Sequence, residues 1–253
     1  MFYKKLIKQQ LYKRGWAPTG SSQLINEAPE TIYHSAVPEE GIIYSYRDNE
    51  TVTDWDSSVL QIDRETIESP DFESLNQAVS CFIKGAKTIV NIDSKTGIFE
   101  SFASVDKSLS FISLISGEGN LEWCKKNRQK ENIVYCNKSP KELIAEENKF
   151  DLAIAIDVIN HISDFGYFLS DLSKLSDRAI ISTSNKDRSL KTALANIPED
   201  NSIFREWDAG EFYWVLKSFY NKVQLYAMPD PYIPVVKEVG IMSTLSPLIA
   251  VCS

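Results

Sequence analysis

From residue 71 onward, short apolar runs alternate with stretches whose apolar residues recur at helical spacing. The runs predict strands at 87–92 (KTIVNI), 109–115 (LSFISLI), 132–136 (NIVYC), 150–156 (FDLAIAI), 178–183 (RAIIST), 222–228 (KVQLYAM) and 245–252 (LSPLIAVC). Several are apolar at consecutive positions, as strands covered on both faces must be. Helices fit between most of them. Asp71 is placed to cap FESLNQAVSCFIK, which stops at Gly85. Ser139-Pro140-Lys141-Glu142 reads as a capping box with proline at the first helical position. Asp164 precedes FGYFLSDLSKL, and Asp208-Ala209-Gly210-Glu211 starts EFYWVLKSFY in the same way. Alternating units of this kind predict a mostly parallel sheet with helices on both faces. The last two strands are joined only by a proline-rich loop, which predicts an antiparallel pair and seven strands in all.

Residues 15–70 follow neither period. They are rich in Pro, Gly, Ser and acids, with scattered aromatics and two short strand candidates at 41–46 and 58–63. The chain of 253 residues thus divides into an extension over 1–70 and an α/β domain over 71–253. Within the first 26 residues Lys4, Lys5, Lys8, Lys13 and Arg14 meet no acid. Residues 1–16 can form a basic amphipathic helix, for docking on the domain, on a protein or on an anionic membrane surface.

Hydrophobic residues make up 43% and charged residues 25%, ordinary for a globular protein, and the net charge of −8 argues against nucleic acid as a partner. No run of 18 apolar residues exists to cross a membrane. Cys81, Cys124, Cys136 and Cys252 form no CxxC pair and read as reduced core residues of a cytoplasmic protein. With two histidines, His34 and His161, no metal site is expected.

Three ordered stretches, KFDLAIAIDVINHISDFGYFLSDLSKL, ISTSNKD and REWDAGEFYWVLKSFYNKVQLY, are similar to blocks of the class I S-adenosylmethionine-dependent methyltransferases. The resemblance covers roughly residues 71–253 and implies their Rossmann-like seven-strand α/β fold and the cofactor S-adenosylmethionine. In that family the turn after the first strand reads D-x-G-x-G-x-G. Here Asn91 replaces the acid, Asp93 and Lys95 replace two glycines, and Gly97 remains. The acid that binds the ribose at the end of strand two falls near Ser116, with Glu118 the nearest carboxylate. Asn137, Lys138 and Ser139 occupy the third anchor. Glycine admits positive φ and close approach of a ligand, so Asp93 is expected to crowd the cofactor and repel its carboxylate, with Lys95 as compensation. Alternatively Asp93 and Lys95 pair with each other and fill the site.

For a hydroxyl acceptor, a small molecule or a glycan, the resemblance places His161 just after the fourth strand, facing the acceptor, and the predicted topology puts Asp157 at that strand's carboxyl end, facing the cleft. Imidazole titrates near neutral pH, which suits a general base. Only the histidine of the family's Glu-His pair carries over, since position 160 is Asn. Trp207, Phe212, Tyr213 and Trp214 are either an acceptor pocket or core. Two functions remain open: a methyltransferase with a divergent cofactor turn, or an inactive methyltransferase fold serving as a binding or scaffold subunit.

Overall fold

The computed structural model describes residues 69–186 and 203–253. The extension, with His34, the basic helix of residues 1–16 and the two strand candidates at 41–46 and 58–63, lies outside the described residues.

Strands β1 (Thr88–Asn91), β2 (Ser110–Leu114), β3 (Ile133–Cys136), β4 (Leu152–Ala155), β5 (Ala179–Thr183), β6 (Val223–Ala227), β7 (Lys237–Val239) and β8 (Leu248–Cys252) form one sheet in the order β3-β2-β1-β4-β5-β8-β6-β7. The first five run parallel, and Val90 lies between Ile112 of β2 and Ala153 of β4. β8 inserts antiparallel between β5 and β6, as the sequence pattern predicts. The eighth strand, β7, lies in the proline-rich stretch that the pattern predicts as loop. Among the described residues it pairs only with β6 and is largely exposed, so it carries neither alternation nor an apolar run.

Helices α1 (Pro70–Ser80), α2 (Ile98–Ala103) and α3 (Glu118–Asn127) contribute to one apolar layer, which includes Leu75, Val79, Phe99, Cys124 and Ile89. Helices α4 (Pro140–Ala145), α5 (Phe165–Leu175) and α6 (Ala209–Leu216) belong to the opposite layer with Leu143, Phe168, Leu172, Phe212 and Val90. Ile89 and Val90 belong to different layers because successive strand side chains point to opposite faces. All four residues of β4 are buried, so the sheet centre is sealed on both sides.

Several caps stand as read. Asp164 Oδ1 accepts from the Tyr167 amide at 3.2 Å and Asp208 Oδ1 from the Glu211 amide at 2.7 Å. The first helix departs from the sequence reading. Ser69 is its N-cap, Asp71 lies inside the first turn, and Cys81 is its C-cap, so it ends before Gly85. Of the cysteines, Cys124 and Cys252 are buried and Cys136 half-buried, but Cys81 is exposed; all four are free thiols. No helix among the described residues is long and apolar enough to cross a membrane.

Candidate functional site

The strand order places β1 between β2 and β4, and the crossover into β2 through α2 and that into β4 through α4 run over opposite faces of the sheet. A ligand crevice opens at such a switch point, beyond the carboxyl ends of the strands. The turn 92–97 forms one wall, tied by the Ile92 amide to the Ile154 carbonyl at 2.8 Å and by the Ser94 amide to the Leu114 carbonyl at 2.9 Å. Residues 156–161 form the other wall.

The turn keeps the positive-φ backbone of a glycine-rich loop with only one of its glycines. Asp93, Lys95 and Gly97 have φ of 51°, 54° and 69°. The left-handed region costs a non-glycine residue about 1–2 kcal/mol, less for Asp, so Asp93 and Lys95 hold strained positions. Their side chains part to opposite sides. Asp93 Oδ1 accepts from Ser116 Oγ at 2.9 Å, on the β2 side. Lys95 Nζ lies 3.9 Å from Asp157 Oδ2, on the β4 side, and 5.3 Å from the Phe72 ring centroid. The expected crowding by Asp93 is therefore directed toward the tip of β2, away from β4.

Asp157 also sits at positive φ, 54°, and its carboxylate joins three groups. Lys95 Nζ and His161 Nε2 each lie 3.9 Å from its Oδ2, while Asn160 Nδ2 donates to Oδ1 at 2.8 Å. Burial pushes this carboxyl up, but His161, Lys95 and Asn160 together hold it below the usual carboxylate range. It is thus an anion at neutral pH. Separations of 3.9 Å make the Lys95 and His161 contacts through-space attractions rather than hydrogen bonds. With Asp157 partly exposed, the Lys95 pair contributes only about 0.2–1 kcal/mol, little enough for a ligand's own charges to replace it.

Sequence reasoning set aside Asn160, which proves to be the joint of this wall. It is buried, its Oδ1 accepts from Thr183 Oγ1 at the end of β5, and its carbonyl accepts from the Phe204 and Arg205 amides. Ser182 Oγ takes the Asp157 amide at 2.9 Å. Phe72 was also missed; only the packing of α1 brings it to Lys95.

The remaining candidates lie elsewhere. Asn91 is buried and donates to Glu100 Oε1 at 2.9 Å, turning away from the crevice. Gly97 faces the Tyr135 ring. Glu118 is exposed in the first turn of α3. Ser139 is committed to its capping box: its amide donates to Glu142 Oε2 at 2.7 Å, and its Oγ accepts from the Glu142 amide at 3.3 Å. Ser139→Ala is expected to lower stability by about 1 kcal/mol in denaturant unfolding, the ordinary loss of a cap, and to leave ligand binding unchanged. Trp207 and Phe212 are fully buried core, and Tyr213 and Trp214 are half-buried. A shallow depression lined by Ile83, Lys84, Val105 and Asp106 lies at the other end of β1 and β2 and holds none of the candidate residues.

Solved structures of S-adenosylmethionine-dependent methyltransferases share this architecture. The methyltransferase domain of bacterial CtHen1 is 20% identical, with a TM-score of 0.55 over 72% of this chain and 97% of that one. A possible histamine N-methyltransferase from Thermotoga maritima is 16% identical, with a TM-score of 0.57 over 77% and 95%. Magnesium protoporphyrin IX methyltransferase from Synechocystis PCC 6803, crystallised with bound SAH, is 13% identical, with a TM-score of 0.53 over 80% and 91%. The fold is therefore the class I methyltransferase fold, carrying one extra edge strand. No family profile matches the chain, and no curated protein sequence matches it.

Proposed function

We propose that this protein is an S-adenosylmethionine-dependent methyltransferase that binds its cofactor in the crevice between β1 and β4 and acts on a small-molecule or sugar-like hydroxyl. The observation that carries the reading is the line Lys95–Asp157–His161 across the switch point, with Asp93–Ser116 beside it. The donor set fits the cofactor group. An α-amino-acid end is a zwitterion, and Lys95 with Asp157 offers a cation and an anion side by side for it. A vicinal diol suits a carboxylate beside a hydroxyl, which Asp93 and Ser116 supply at the tip of β2.

When bound, the cofactor supplies an electrophilic methyl group. The protein's own task is alignment and removal of one proton. His161 accepts the proton of the acceptor hydroxyl, and the Asp157 anion stabilises the imidazolium that results. Asn160 holds Asp157 in place for both partners.

The strain at Lys95 gives a direct test. Lys95→Gly is expected to raise stability by up to about 1 kcal/mol, because glycine adopts positive φ freely. The same substitution is expected to weaken S-adenosylhomocysteine binding about tenfold or more by removing a charge-assisted contact. Denaturant unfolding and calorimetric titration of the two proteins measure both. Binding that tightens in Lys95→Gly would mean that Lys95 plugs the crevice. That result would favour the second reading, an inactive fold serving as a binding subunit, for which the contact of Lys95 with Asp157 is the supporting observation.

A further inference from the structure

Behind the turn 92–97 lies a carboxyl that the proposed chemistry does not use. Glu100, in α2, is fully buried. Its Oε1 accepts from Asn91 Nδ2 in β1 and from Ser113 Oγ in β2, whereas Oε2 has no hydrogen-bond partner among the described residues. Asn91 Oδ1, Thr96 Oγ1 and Tyr135 OH are likewise buried without partners among the described residues, and the Ser94 hydroxyl lies close enough to act on the carboxyl. A fully buried carboxyl with one oxygen unpartnered suits the neutral acid, whose O–H is a donor, better than an anion.

Among the described residues no cation pairs with Glu100. β1 presents Asn91, β2 presents Ser113, and β3 presents the Tyr135 hydroxyl. On α3, Cys124 Sγ faces the Lys95 carbonyl, and Arg128 donates to Ser101 Oγ and stacks on the Trp123 ring. The buried positions of α1 are Ser74, Leu75, Asn76, Ala78 and Val79, none of them ionisable. Burial accordingly pushes the Glu100 carboxyl up, against the hydrogen bonds from Ser113 and Asn91. The Tyr135 phenol is pushed up too, first by burial and then by Glu100.

We propose that protonated Glu100 is the positioning residue that fastens the turn 92–97 to β1 and β2, and that its ionisation as pH rises releases the turn and weakens binding at the crevice. An anion there would have an unpaired charge in a fully buried site, a cost met only by opening the packing of α2 against β1 and β2. The turn is what such opening would move, since Asp93 and Lys95 hold their strained positions only while their surroundings enforce them. The binding half of this inference rests on the cofactor reading above; the folding half does not.

The sign of the pH dependence follows. The folded-state value lies above the ordinary Glu value of 4.5, so the unfolded chain releases the proton first. The stability associated with Glu100 is full below that ordinary value and falls as pH rises, until the folded carboxyl ionises as well. Glu100→Gln keeps the neutral shape and both acceptor bonds while abolishing the titration.

The experiment compares wild-type protein and E100Q from about pH 6 to about pH 9, by thermal unfolding without ligand and by calorimetric titration with S-adenosylhomocysteine. Wild-type unfolding temperature is expected to fall with pH more steeply than that of E100Q. Wild-type affinity is expected to lose about tenfold more than that of E100Q, the effect of one unit of linked titration. Identical pH dependence of binding in the two proteins overturns the proposal. If neither protein binds but the thermal difference is present, the role of Glu100 in fastening the turn stands and the cofactor reading falls. Should E100Q fail to fold, the carboxyl carbon NMR shift of wild-type Glu100 decides. The shift of a protonated acid at neutral pH supports the proposal, and that of a carboxylate overturns it.

Discussion

Gly97→Ala is expected to destabilise the protein by about 2–5 kcal/mol, the sum of two independent penalties. The first is conformational. Gly97 has φ of 69°, where a Cβ costs about 1–2 kcal/mol. The second is steric. A Cβ built there would lie 2.7 Å from the Tyr135 hydroxyl and 3.2 Å from its ring, and Tyr135 is itself buried and has nowhere to go. Forcing extra volume into a packed core costs about 1–3 kcal/mol. For a chain of this size each kcal/mol lowers the unfolding temperature by about 2–4 °C. Thermal unfolding of Gly97→Ala, alone and with Tyr135→Phe, separates the hydroxyl's share from the rest. The double variant is expected to recover the share of the steric part that comes from the hydroxyl, and to leave the ring contact and the conformational part. A loss under about 0.5 kcal/mol in the single variant, the range of ordinary surface changes, would show that the turn relaxes in solution.

His161→Gln is expected to lower methyl-transfer turnover by roughly 10²–10⁴-fold, the effect of losing a general base. Cofactor affinity should stay nearly constant, because Lys95 remains with the Asp157 carboxylate when the ring is replaced. The variant should also fold, since the Asn160 amide holds Asp157 to the wall by its own hydrogen bond. The measurement is turnover and S-adenosylhomocysteine affinity of the variant with an acceptor found by screening alcohols and sugars. Unchanged turnover would make His161 a structural residue, and so would loss of folding.

The layered sheet was legible because burial on both faces writes itself as consecutive apolar residues, as in Leu152–Ala155. Caps were legible because they need one short polar side chain at a fixed offset, as at Ser139, Asp164 and Asp208. β7 was not, since an exposed edge strand of three residues imposes no pattern. The site divides the same way. The positions of the turn and of His161 followed from the strand order, but the direction of each side chain did not. Asp93 finds its partner 23 residues on at Ser116, and Asn91 finds Glu100 behind the strand. Local sequence holds no trace of either pairing. The replaced glycines point to a crowded or filled site, whereas Asp93 and Lys95 keep positive φ and turn to separate partners, Ser116 and Asp157.

Calorimetric titration of the wild-type protein with S-adenosylhomocysteine near neutral pH tests the central claim most directly, because every functional statement here requires the crevice between β1 and β4 to accept that group. The account predicts saturable binding at one site per chain, lost or strongly weakened in Asp157→Ala, which removes the carboxylate that Lys95, Asn160 and His161 share. Absence of any binding heat at saturating ligand, or binding that Asp157→Ala leaves untouched, would contradict it.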